Sequence, residues 1–427
     1  QSTDPITLDS NLSSISSDTL GQGNAGKITI DTQNIGKLSL FNRASISNTI
    51  SLNALGNGND IQISAREIEL RNAGSISSRT IRGSKGDAGN INIKTSGDIR
   101  ISSTTLQSTD PAASTPTNIS DITSSTGGQG NAGKITIDTQ ARGKLSLSNN
   151  GNIASAIGPN GVGNGGSIAI SAREIELQNE GFIFSSNVGG KGDAGNITIN
   201  TTENITISGS TPQLGGSFIG SLTLGQGNAG KITIDTQARG KLSLLNRASI
   251  TSTTDPSAMG NGGSIAISAK EIELRNGSEI VSANNGGQGN AGNIDLKTSG
   301  DISISGSTPE STAPITSKST VSRINSSTFG RGNAGNINIS TQNSGKLSLS
   351  NNAIISTGTI TDAVGNGGDI TIAARELDLR NKGFITSSTF GKGDAGNIII
   401  DTQNLGKLSL DQGIISSVIG KKAVGNA

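Results

Sequence analysis

Read along the chain, apolar and polar residues alternate in short bursts. Ile28-Thr29-Ile30, Leu38-Ser39-Leu40, and Ile46 between Ser45 and Ser47 are typical. A period of two predicts strands with one buried face. No stretch carries helical spacing, and Gly recurs too often for helix, where each costs about 1 kcal/mol relative to Ala. The bursts come in threes, separated by Gly/Asn corners.

Each set of three begins with a Gly-rich turn. GNAGKITIDTQ occurs identically from Gly23, Gly130 and Gly227, with GNAGNINISTQ from Gly332. A second type reads GNGNDIQISAREIEL from Gly56, with relatives from Gly163, Gly260 and Gly365. A third reads GDAGNINI from Gly86, with relatives from Gly192, Gly289 and Gly393. The turn Asn or Asp of these units stands at 24, 57, 87, 131, 164, 193, 228, 261, 290, 333, 366 and 394. Twelve units thus form four cycles of three, and a recurrence of this length is the mark of a solenoid. The predicted fold is all-β: a parallel β-helix of about twelve rungs, each of three short strands. Residues 1–22 read as the tail of a preceding rung and its insertion. Cycles follow at 23–129, 130–226, 227–331 and 332–427, as one continuous solenoid. A single rung cannot bury enough apolar surface to order itself, so the rungs stand only as a stack.

Composition narrows the chemistry. The 427 residues include 61 Gly, 8 Pro and 2% aromatics, with no Cys, His, Trp or Tyr. This excludes zinc fingers, haem, iron–sulfur clusters, disulfide scaffolds and any His-dependent triad. Stacking platforms for bases are absent as well. Lys+Arg 33 against Asp+Glu 32 leaves +1, so no charge footprint points to nucleic acid. No apolar run is long enough to span a bilayer. No cofactor or metal is expected.

Three polar features invite a functional reading. An Asn follows the second strand at Asn42, Asn72, Asn149, Asn179, Asn246, Asn276, Asn351 and Asn381. The third rung type replaces it with Ser103, Gly209 and Gly306, which favours a structural ladder of Asn in left-handed corners over a ligand row. The residue starting the second strand alternates between acids and Lys, from Lys37, Glu67 and Asp98 to Lys346, Glu376 and Lys407. It reads as a surface ion-pair ladder worth about 0–1 kcal/mol per pair. The Gly-rich turns are not phosphate cradles, since no helix follows them. The best match to a calcium-binding nonapeptide, Gly286–Ala291, has Ala291 in place of the ligand Asp.

Insertions concentrate in the third rung type. Pro111, Pro116, Pro212, Pro309 and Pro314 lie in these Ser/Thr/Pro-rich segments, such as TTLQSTDPAASTPTN. Loops on a rigid scaffold are where binding sits, so these are the candidate exposed binding loops.

GNITI-type turns, the LxLxN pattern and the passage from Ile-Thr-Ser into a Gly-rich turn resemble the repeat region of filamentous haemagglutinin-like exoproteins of the cyanobacterial type. Gly192–Ile199, Leu347–Asn351 and Ile385-Thr386-Ser387 leading to Gly391–Gly396 carry the resemblance. It implies a right-handed β-helix exported by two-partner secretion through an outer-membrane barrel transporter, and located at the cell surface or in the medium. The implied function is a structural or adhesive rod of a filament, sheath or biofilm, with a surface glycan or a neighbouring cell as ligand. The alternative is a β-helix enzyme acting on polysaccharide, which needs clustered carboxylates in a groove. Gln1–Pro5 repeats Gln107–Pro111, and Gly425-Asn426-Ala427 opens another turn. The chain therefore reads as a segment of a longer array, or as one that self-associates end to end.

Overall fold

Each Gly-rich turn is followed by three strands, and the corresponding strands of successive turns pair in parallel. The computed structural model describes residues 4–10, 12–32, 35–103, 119–209, 216–306, 321–342, 345–360, 362–402, 406–421 and 423–427. These contain 38 strands, and no helix occurs among them. Contacts divide the chain into two compact units, Gln1–Thr201 and Thr202–Ala427. Each unit is a β-solenoid built from three parallel sheets, and the two together hold about twelve turns.

In the first unit, the first sheet runs from Ile6–Asp9 through Lys37–Phe41, Glu67–Arg71, Ile99–Ser102 and Lys144–Ser148 to Glu174–Gln178. The second sheet contains Ser45–Ile50, Ser75–Thr80, Asp121–Thr126, Asn152–Ile157 and Phe182–Asn187. The third contains Ile28–Asp31, Ile61–Ala65, Ile91–Thr95, Ile135–Asp138, Ile168–Ala172 and Ile197–Thr201. The second unit repeats the plan, for example with Lys241–Leu245, Glu271–Arg275 and Ile302–Ser305 side by side in its first sheet.

Register follows from the alternation. Ile135 pairs with Ile91 and Ile168, and Ile137 with Ile93 and Ile170, so identical side chains stack inside with almost no exposure. A slip by one residue would turn every one of these outward, which is why the register is unambiguous.

The corners depend on glycine and asparagine. The first Gly of each turn motif has positive φ, 130° at Gly23 and 146° at Gly56. A Cβ on Gly56 would stand 2.0 Å from the carbonyl oxygen of Gly23, so the residue allows both the conformation and the stacking. The next residue joins neighbouring turns. The Asn57 N–H donates to Asn24 Oδ1 at 2.8 Å, and Asp87 to Asn57 at 2.9 Å. The same bond recurs at Asn131, Asn164 and Asp193.

The interior is not purely apolar. At the fourth position of most second-sheet strands a buried Ser faces inward and accepts the N–H of the fourth turn residue. Ser78 serves Gly89, Ser124 serves Gly133 and Ser185 serves Gly195, at 2.8, 2.8 and 2.7 Å. The inside of the solenoid thus satisfies turn amides that no strand partner reaches.

Candidate functional site

The eight corner Asn residues all adopt left-handed backbone, with φ between 47° and 55°. A short side chain that bonds locally tolerates this region best. Their amides also link turns. Asn72 donates to Asn42 Oδ1 at 3.1 Å, and Asn42 to Asp9 Oδ1 at 2.6 Å. In the second unit Asn276 donates to Asn246 and Asn381 to Asn351, at 2.9 and 3.3 Å. Asn351 reaches Ser305 Oγ at 3.0 Å, the hydroxyl next to the turn that has Gly306 in place of Asn. Asn149 and Asn179 share the backbone conformation. Six of the eight, Asn42, Asn72, Asn246, Asn276, Asn351 and Asn381, thus act as rung-to-rung clasps through their side chains.

The five prolines of the candidate binding loops, Pro111, Pro116, Pro212, Pro309 and Pro314, lie outside the described residues. The flanking residues are placed. Ser103 and Ile119, Gly209 and Gly216, and Gly306 and Val321 all stand between a first-sheet strand and the next second-sheet strand. All three segments therefore leave at equivalent corners.

The charged ladder differs from its sequence reading. Lys37 and Glu67 are register partners, as are Lys241 and Glu271. The closest carboxylates, however, lie two residues further along the strand. Lys37 pairs with Glu69, and Lys241 Nζ is 2.6 Å from Glu273 Oε2. Lys346 Nζ is 2.6 Å from Asp378 Oδ2 and 3.0 Å from Glu376. An Arg closes each cluster from the far side: Arg71 on Glu69, Arg275 on Glu273, and Arg380 on Asp378 at 2.5 Å. Covered by these cations, the carboxylates are only 5%, 8% and 4% exposed. The network is therefore more than a solvated ladder. The reason is geometric: neighbouring strands stand about 4.8 Å apart, and the extended Lys side chain overshoots its register partner toward the next outward position.

Electrostatics follow the contacts. At Asp378 burial works against ionisation, but hydrogen bonds from Lys346 and Arg380 outweigh it and hold the carboxyl below its ordinary value. The hydrogen bond to Asp378 raises Lys346. Lys144 is pulled down by burial, yet Glu176 and Glu174 hold it above its ordinary value. Every acid in these clusters is neutralised by cations of the same chain, which suits cohesion rather than proton transfer.

The outer face of the third sheet carries Thr29, Gln62, Asn92, Thr136, Ala169 and Thr198, as the alternation predicts. In the first unit this face holds a shallow groove of about 410 Å³, lined in part by Asp31, Lys94 and Asp138. Asp31 and Asp138 are separated by Ser64 and Lys94 on the intervening strands. Three strand spacings put the two carboxylates about 14 Å apart.

Among the described residues no group of three or more acids could hold a metal ion. No helix is long and apolar enough to cross a membrane. No protein-family model matches the chain, and no curated protein matches it.

Proposed function

We propose that the chain is a structural or adhesive β-solenoid module, exported and displayed at the cell surface. The observation that carries the reading is the regularity of the stack. In each unit, turn after turn is joined by the same side-chain bonds, and the carboxylates of the first-sheet ladder are covered by cations of the same chain. Such an array offers a stiff support with segments emerging at one repeated corner.

The resemblance to filamentous haemagglutinin-like repeats supports export through an outer-membrane barrel transporter, and a chain without cysteine suits passage in an unfolded state. The surface ligand in this reading is a glycan or a neighbouring cell, met by the segments around Pro111, Pro212 and Pro309. The polysaccharide-enzyme alternative gains nothing from the third-sheet groove. Paired glycosidase carboxylates work at about 5–9.5 Å, well short of the Asp31–Asp138 separation.

The test is an adhesion assay with beads coated with the full chain, against a variant in which 104–118, 210–215 and 307–320 are all replaced by short turns. Loss of cell and glycan binding with unchanged thermal unfolding supports the reading. Undiminished binding refutes the assignment to these segments.

A further inference from the structure

Exposed apolar side chains are not scattered over the second unit. Among the described residues before its last turn, all the large ones sit on the corner between the second and third sheets: Leu224, Met259, Phe329, Ile360, Val364 and Phe390. This is a different corner from the one that releases the insertions. Single parallel bridges stack it from Gln226 through Met259, Gln288, Arg331, Val364 and Lys392 to Val424. Between Met259, Phe329 and Val364 lies a cleft of about 500 Å³, floored by Gly286, Gly287 and Gln288. Met259 is 53% exposed and Phe390 45%.

The charges on this edge are of both signs. Arg331 and Asp362 line the same cleft, and among the described residues neither has an ion-pair partner, while Asp255 accepts only from Ser257 beside it. Asp255 lies near one end of the edge and Lys421 near the other. Both signs together favour a protein partner over an anionic lipid surface, and their order favours one arrangement. A two-fold axis passing between the turn of Phe329 and that of Ile360 sets Arg331 opposite Asp362 of the second copy. The same axis sets Asp255 opposite Lys421, and the turn of Phe390 opposite the glycine floor of the cleft.

We propose that the second unit pairs with a second copy of this chain, edge to edge and antiparallel, with Phe390 of each copy seated in the Met259–Phe329 cleft of the other. The cleft has room for a phenyl ring, since a cavity of about 150 Å³ already admits benzene. The five apolar side chains from Met259 to Phe390 that this axis brings into contact expose on the order of 450 Å², taking roughly 200 Å² for a large side chain. Two such edges with their flanking charges reach the roughly 1,000 Å² that a specific interface requires. The arrangement is isologous and closes at two copies, unlike end-to-end stacking, which is open.

The test uses the full chain in sedimentation equilibrium at tens of micromolar. The wild type is expected to be a dimer. Phe390→Ser and Arg331→Asp each weaken dimerisation at least tenfold, and Arg331→Asp combined with Asp362→Arg restores it. The chain has no cysteine, so disulfide trapping is clean. A Gln288→Cys variant mixed with a Phe390→Cys variant forms a disulfide-linked pair, while Phe390→Cys alone does not, its two sulfurs being about three strand spacings, roughly 14 Å, apart. A monomeric wild type, open-ended oligomers, or association that survives both Phe390→Ser and Arg331→Asp overturns the proposal. So does a monomer that sediments with phosphatidylglycerol vesicles, which would assign the edge to lipid.

Discussion

Asp121 begins a second-sheet strand in the first unit, between Ser75 and Asn152 on the neighbouring turns. Its Oδ1 is shut off from water without a hydrogen-bond partner, and so is Oδ1 of Asn152. Lost hydration disfavours the carboxylate and outweighs the help of the Ser75 and Thr123 hydroxyls and the Arg79 charge. The pKa is pushed up from 3.8 to about 6. Between these values the folded chain holds a proton that the unfolded chain releases. Stability from this group is therefore complete below about pH 4 and is lost as pH rises through about 6. Roughly two pKa units correspond to at most about 3 kcal/mol. In Asp121→Asn the side chain is neutral at every pH, and its amide can donate to Asn152 Oδ1. The variant is expected to be more stable than wild type at pH 7, with the gap closing by about pH 4. Urea unfolding of the full chain at both pH values measures it. Hydrogen exchange of the 121–126 and 152–157 amides gives the local reading, because a repeat array need not unfold in one step. An offset that stays the same at both pH values would refute the reasoning.

Ile170→Asp places a charge among stacked isoleucines and is expected to cost several kcal/mol and to release the neighbouring turns to exchange, whereas Glu176→Ala should change the melt by no more than about 1 kcal/mol. Comparable losses for the two would contradict the inward and outward assignment. Asp378→Asn should destabilise, and in the wild type the contribution of Asp378, whose folded pKa is lowered, is present above its ordinary value and fades as pH falls below it. Acid titration of unfolding in wild type and variant checks this sign. Gly195→Ala sets a Cβ 2.1 Å from the Gly166 carbonyl oxygen, so stacking there must open; a variant with wild-type exchange at 197–201 would count against the fit.

The strands and their register were legible because Ile-Thr-Ile and Leu-Ser-Leu repeat with fixed offsets, and parallel stacking of like on like follows from that repetition. The left-handed corners were legible too, since Asn42 and its counterparts break the alternation at one point in the first two turns of each cycle. The inward serines were not. In Ser75-Ile76-Ser77-Ser78, alternation does place Ser78 inward, but nothing local distinguishes it from its solvated neighbours, and its partner Gly89 lies across a corner. The buried carboxylates were hidden for a related reason: Glu69 is covered by Lys37 from the preceding turn and by Arg71 on its own strand, a coincidence of reach rather than of pattern. The apolar edge escaped notice because Met259, Phe329 and Phe390 are each alone in polar segments. Only the stacking assembles them.

The side-chain bonds of the turns have a direction, opposite to that of the backbone bonds beside them. In every case the N–H belongs to the later turn and the Oδ1 to the earlier one, as from Asn131 to Asp87 and from Asn164 to Asn131. A finished turn therefore presents a waiting acceptor to chain that has yet to arrive, and the arriving turn brings the matching donor in its backbone whatever its side chains are. Folding can advance like a zip fastener, in the same sense as synthesis, with each closed tooth aligning the next. It also explains how three rung types interleave without special joints. All three rung types share the Asn or Asp, the positive-φ Gly before it and the inward Ile pair, so a block of rungs copied within the gene would engage its new neighbours at once.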